Sequence, residues 1–161
     1  MYDPAQVRVG DIILVERRQW DLIGALIDWA TVSPFCHAAI AGDGHLIEAL
    51  WHVTESPLDK YAGGGWLFRT VASDAQRQAA AGWAESHVGQ RYGLAELLDD
   101  AGRDVLHLPL WPRAQPRLVT CSGLVHAAYR AAGVHLTFAP WPSPMDLACS
   151  PLLLGARPWL S

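Results

Sequence analysis

Cys121 stands in Thr120-Cys121-Ser122-Gly123, at the start of a segment whose small and apolar residues recur at helical spacing as far as Ala132 and stop at Gly133. Unpaired N–H groups and the helix dipole favour negative charge at a helix N-terminus, so a thiol placed there ionises more readily. Such a thiolate is a competent nucleophile, and the backbone N–H of the same residue can face a developing oxyanion. The alternative for any cysteine is a buried, inert side chain. A nucleophilic thiol also needs a base, and the chain holds seven histidines.

Geometry chooses among them. His126 lies five residues along the same helix, about 140° around the axis from Cys121, and faces away from it. His37 is different, because it lies in one of two short apolar runs, Cys36 to Ala41 and His45 to Ala49, separated by Gly42-Asp43-Gly44. Asp-Gly is a preferred pair for a two-residue hairpin turn. With that turn, Gly42 pairs with His45 and Ala39 opposes Glu48. Side chains alternate along a strand, so His37, Ala39 and Glu48 share one face, and His45 takes the other. His37 and Glu48 become diagonal neighbours, roughly 7–8 Å apart at the backbone and within side-chain reach. A carboxylate there can accept the second imidazole N–H, fix the tautomer and stabilise the imidazolium. A bulge in the turn would reverse this parity. The alternatives are a core histidine bonded to backbone and a carboxylate facing water.

The remaining elements must hold these residues in place. Ile12 to Val15, after Gly10-Asp11, reads as a buried strand, and Trp66 to Val71 as another following Gly63-Gly64-Gly65. Helical spacing covers Trp20 to Thr31, and Ser73 caps a helix from Asp74 to about Val88 that Gly89 ends. Tyr92 to Ala101 reads as a further short helix. Val105 to Leu118 is apolar but carries Pro109, Pro112 and Pro116, which marks a loop or flap. Ser143-Pro144 starts a brief helix in the Pro- and Trp-rich tail.

Composition limits the function classes. With 161 residues, 51% hydrophobic and 17% charged, the chain suits one domain, residues 1–161, around one core. The formal net charge is −4 and no five-residue block carries a single sign, which disfavours a nucleic-acid groove. The strongly apolar stretch Leu22 to Ile27 is far shorter than the roughly 20 residues of a membrane span. Met1-Tyr2-Asp3-Pro4 lacks the basic start of a secretory signal, so the expected location is the cytoplasm, with any export by phage lysis or a dedicated secretion system. Cys36, Cys121 and Cys149 contain no C-x-x-C, and free thiols are expected. Cys36 is expected on the strand face opposite His37, which disfavours a Cys–His metal pair. No metalloprotease or phosphate-loop motif occurs, and neither a cofactor nor a metal is expected. Eight Trp supply apolar area for a core or an apolar pocket.

The stretch TCSGLVHAAYRAAG resembles the nucleophile helix of NlpC-type, papain-like cysteine peptidases. In that family the Cys helix usually precedes the His strand. Here SPFCHAAIAGDG and HLIEA come first and Cys121 follows, an order similar to the circularly permuted branch. GDIILV, DLIGALIDWATVSPF and GQRYG also resemble that branch, so the likeness runs from Gly10 to about Gly133. It implies an α+β, papain-like fold with a small antiparallel sheet packed against the nucleophile helix. It further implies Cys121 as nucleophile, His37 as general acid and base, and Glu48 as the orienting group. Tyr92 in GQRYG matches the family tyrosine of the site wall or oxyanion hole. Thr120 replaces the usual Asp before the Cys. The implied activity is hydrolysis of an amide or ester through an acyl-enzyme, on a small acyl, peptide or lipid-like substrate. The permuted branch is associated with apolar acyl groups, toward which the Trp content and Val105 to Trp111 also lean. Cleavage of cell-wall muropeptides, acyl transfer in place of hydrolysis, and a non-catalytic binding module of a phage or secretion assembly are the alternatives.

Overall fold

A computed structural model describes residues 3–16, 33–90 and 120–155. Six strands form one antiparallel sheet: β1 (Ile12–Glu16), β2 (Phe35–Ala41), β3 (His45–Ala49), β4 (Val53–Pro57), β5 (Gly65–Thr70) and β6 (Leu153–Leu154). Their order is β4-β3-β2-β1-β5-β6, with every neighbouring pair antiparallel. Among the described residues three α-helices accompany the sheet: α1 (Asp74–Glu85), α2 (Cys121–Ala131) and α3 (Pro144–Ala148). The fold is α+β, and its sheet is larger than the sequence led us to expect.

β1 is the middle of this arrangement, which explains its unbroken apolar run: Ile12, Ile13, Leu14 and Val15 are all buried because both faces are covered. Ile12 and Leu14 join Ala38, Ile40, Ile47 and Phe68 in a core shared with Leu124, Val125, Ala128 and Tyr129 of α2 and with Ala80 and Ala84 of α1. Ile13 and Val15 point the other way, to Ala39, Ala41, Leu46 and Tyr61. The β2–β3 hairpin has the expected register, with Ala39 opposite Glu48 and Ala41 opposite Leu46, and the Gly42 N–H donates to the His45 carbonyl.

The helix ends follow from their sequences. Ser73 and Gln76 close a reciprocal capping box on α1, and Ser143 and Asp146 do the same on α3. α2 ends in a Schellman arrangement: Gly133 has φ +78°, its N–H bonds the Arg130 carbonyl and the Val134 N–H bonds the Tyr129 carbonyl. α1 stops at Glu85 instead of Val88. The cause is a tether beyond it, where the Gly89 N–H donates to the Val53 carbonyl and the Val53 N–H to the Gln90 carbonyl. That tether belongs to β4, which the sequence did not announce because Val53–Pro57 is a half-exposed edge strand of mostly polar residues. The expected helices Trp20 to Thr31 and Tyr92 to Ala101, and the Pro-rich segment 105–118, lie outside the described residues. Among the described residues no helix is long and apolar enough to cross a membrane.

Candidate active site

Cys121 is the first residue of α2, and Thr120 is its N-cap, with Thr120 Oγ1 accepting the Gly123 N–H at 2.9 Å. Thr120 thus does what an aspartate would do at that position. The cap leaves the Ser122 N–H for the Cys121 sulfur, which also receives hydrogen bonds from the Ala38 N–H and the His37 side chain. The Ala38 donor is supplied by the sheet itself. Hydrogen-bonded pairs alternate along an antiparallel ladder, and after Gly42/His45 and Ile40/Ile47 the next would be Ala38 with Ala49. The β2–β3 ladder ends one pair earlier, at Ala39 and Glu48, while Ala49 goes on to pair with Val53 of β4. Where β2 and β3 part, the Ala38 N–H turns to the thiol.

The His37 imidazole lies between that thiol and Glu48. Its Nε2 is 2.7 Å from Glu48 Oε2, which leaves Nδ1 for Cys121. Both side chains are buried, Glu48 fully. Burial alone would lower the His37 pKa, but the Cys121 charge and hydrogen bond, and then Glu48, outweigh it and raise the value to about 9. Burial likewise opposes ionisation of Cys121, yet the neighbouring His37 charge and the three donors bring its pKa below the ordinary thiol value. Glu48 is driven down to about 2: burial opposes its charge, while His37, Lys60 and Ser56 favour it. An ionised Glu48 accepts only, so the proton on Nε2 belongs to His37. Cys121, His37 and Glu48 therefore stand in line, with ionisation of the thiol favoured by the imidazolium and that of the imidazole by the carboxylate, and the imidazole can carry a proton to and from the sulfur side.

No protein-family model matches the chain, and no curated protein matches it in sequence.

Cys121, His37 and Glu48 thus lie together; strand parity had placed His37 and Glu48 on one face, and the family resemblance had implied Cys121 as their partner. Tyr92 lies outside the described residues. His126 is buried in α2 away from the thiol, with its Nδ1 lacking a hydrogen bond among the described residues, and burial, Arg130 and His135 all lower its pKa. His45 takes the other sheet face, with Nε2 3.6 Å from Glu85 and 3.9 Å from Glu55. The expectation for Cys36 needs correction. Val15 pairs with His37 but Glu16 with Phe35, so Cys36 is the extra residue of a bulge and strict alternation ends there. Phe35 returns to the helix-covered core, and the Cys36 thiol donates to the Val15 carbonyl at 3.6 Å. Among the described residues no group of three or more His, Cys, Asp or Glu side chains is placed to hold a metal ion.

Two residues of the site had no sequence signal. The 3-10 turn Leu58–Tyr61 follows β4 and presents Lys60 and Tyr61 to Glu48. The Tyr61 hydroxyl donates to Oε2 and Lys60 Nζ to Oε1, each at 2.5 Å. Burial and the adjacent carboxylate hold Tyr61 in its protonated, donating form far above the usual tyrosine range. Its ring also lies against His37, centroids 5.8 Å apart.

Proposed function

We propose that this chain is a thiol-dependent acyl hydrolase with a circularly permuted, NlpC-type papain-like architecture. The observation that carries the reading is the single line from Cys121 through His37 to Glu48, with the thiol at a capped helix N-terminus. The chain order, His and Glu on a hairpin before the Cys helix, supports the permuted arrangement.

In the proposed reaction the Cys121 thiolate attacks the carbonyl carbon of an ester or amide. The carbonyl π bond opens onto oxygen, and that oxyanion faces the Cys121 N–H at the start of α2, with Tyr92 as the further donor that the family likeness implies. The oxyanion collapses, the bond to the leaving group breaks, and the His37 imidazolium gives that group its proton. Neutral His37 then takes a proton from water, the hydroxide attacks the thioester carbonyl, and Cys121 departs as thiolate. Glu48 keeps the imidazole in one tautomer and balances its charge throughout.

An apolar acyl group is the substrate class we favour. Ser122 Oγ donates to the Pro142 carbonyl at 2.5 Å, tying the chain around Pro142 to the residue next to the nucleophile. Phe138, fully exposed, and Trp141, 60% exposed, lie just before that tether. Large apolar side chains exposed close in sequence to that tether favour an acyl chain over a polar peptide.

The test is covalent. With p-nitrophenyl butyrate, about one equivalent of nitrophenol should appear in a burst, and a butyryl group should be found by mass spectrometry on the peptide containing Cys121 alone. Cys121→Ala should abolish both. Purified muropeptides in a parallel assay decide between acyl classes. Labelling spread evenly over Cys36, Cys121 and Cys149, with neither substrate turned over, would favour a non-catalytic binding module instead.

A further inference from the structure

Besides the imidazole it orients, Glu48 gathers further donors onto its carboxylate. Oε2 accepts from His37 and Tyr61, and Oε1 from Lys60. We propose that Lys60 is a positioning residue of this site, the fixed counter-ion of Glu48, and that its charge sets the pH at which the Cys121–His37 pair ionises. The inference rests on the thiol-hydrolase reading above.

Lys60 is held as a counter-ion should be. Its side chain is 28% exposed, its Nζ also donates to Ser56 Oγ at 3.2 Å, and it lies 5.2 Å from the Tyr61 ring centroid. Exposed lysine–carboxylate pairs contribute little, but here the carboxylate is wholly buried and screening is weak. The groups facing Glu48 are His37 from β2, Ser56 from β4 and Lys60 and Tyr61 from the 3-10 turn, with Cys121 of α2 beyond His37. With Cys121, His37 and Glu48 all ionised, those three carry one net negative charge, and Lys60 brings the set to neutrality. Lys60 meets Glu48 directly, with His37 and then Cys121 beyond it, and a positive charge lowers the pKa of the acids it faces, so Lys60 eases Cys121 toward thiolate and limits how far Glu48 raises His37.

The experiment follows the rate of Cys121 alkylation by iodoacetamide against pH, by mass spectrometry, with Cys36 and Cys149 as internal controls and the thermal midpoint recorded. Lys60→Gln keeps a donor for Oε1 and removes the charge; Lys60→Arg keeps both. The acid limb of Cys121 reactivity should move up by about one pH unit in Lys60→Gln and return in Lys60→Arg. A limb that Lys60→Gln leaves in place, or that Lys60→Arg moves equally, overturns the proposal, as does loss of folding in both variants. Folding with Arg but not with Gln supports it, because the buried carboxylate then requires the charge. An unmodified protein whose Cys121 shows no depressed limb defeats the hydrolase reading itself.

Discussion

Glu48 and His37 make the pH dependence of this molecule specific. The Glu48 pKa falls from 4.5 to about 2, so its contribution to stability is complete above pH 4.5 and is lost as pH falls toward 2. The His37 pKa rises from 6.5 to about 9, so its contribution is complete below pH 6.5 and is lost as pH rises toward 9. Each shift corresponds to about 3 kcal/mol, and they do not simply add, because the His37–Glu48 pair enters both while Cys121 contributes the larger part of the His37 rise. Urea midpoints measured across pH should therefore be highest between pH 4.5 and 6.5 and decline on both sides. Glu48→Gln should flatten the acid side; an unchanged acid side would mean that Glu48 is not the ionised partner. His37→Ala should return the Cys121 alkylation limb toward that of Cys36 and Cys149, since the imidazolium charge is what favours the thiolate. At this scale sequence was informative where a period exists. Asp43-Gly44 set the turn, and alternation then placed His37 and Glu48 on one face. Lys60 and Tyr61 sit on a single 3-10 turn, which repeats too few side chains to leave a pattern.

The elements matter through their ends. α2 places the thiol only because its first turn is capped by Thr120 and its sulfur receives the Ser122 and Ala38 donors. Thr120→Ala should destabilise the protein by about 1 kcal/mol, and Thr120→Ser should restore most of that, both read from urea midpoints. Gly123→Ala should fail for a different reason. Alanine is the better helix former, but its Cβ would lie 2.6 Å from Thr120 Oγ1, so the cap must open to admit it. A gain in stability from Gly123→Ala would show that the cap can shift without loss. Helix starts at Ser73, Cys121 and Ser143 were readable from their residues. β4 and the bulge at Cys36 were not, because an edge strand of polar residues resembles a loop, and a bulge is set by the partner strand, which a local pattern does not contain.

At the scale of the whole molecule, Gly10 joins three elements and so tests whether the sheet and both large helices stand as one body. Its N–H donates to the Ala41 carbonyl at the end of β2, its carbonyl accepts the Tyr129 hydroxyl from α2, and its α-carbon lies under α1. Its φ is +82°, and a Cβ there would stand 2.5 Å from Arg77 Cβ and 2.8 Å from the Arg77 carbonyl oxygen. Gly133 is the matched control, with φ +78° and nothing within 4 Å of a Cβ. Alanine at Gly133 meets only the left-handed backbone strain, about 1 kcal/mol. At Gly10 the same strain is joined by overlap with helix backbone, about 1–3 kcal/mol more, because α1 is held by its own core residues and cannot simply lift away. Gly10→Ala should therefore lower the urea midpoint two- to fourfold more than Gly133→Ala. Pushing α1 from the sheet also strains the Tyr129 bond that anchors α2, so Cys121 alkylation in Gly10→Ala should lose part of its low-pH advantage, although residue 10 is remote in sequence from the thiol. Equal losses in the two variants would mean that Gly10 does not approach α1 as closely as the packing requires.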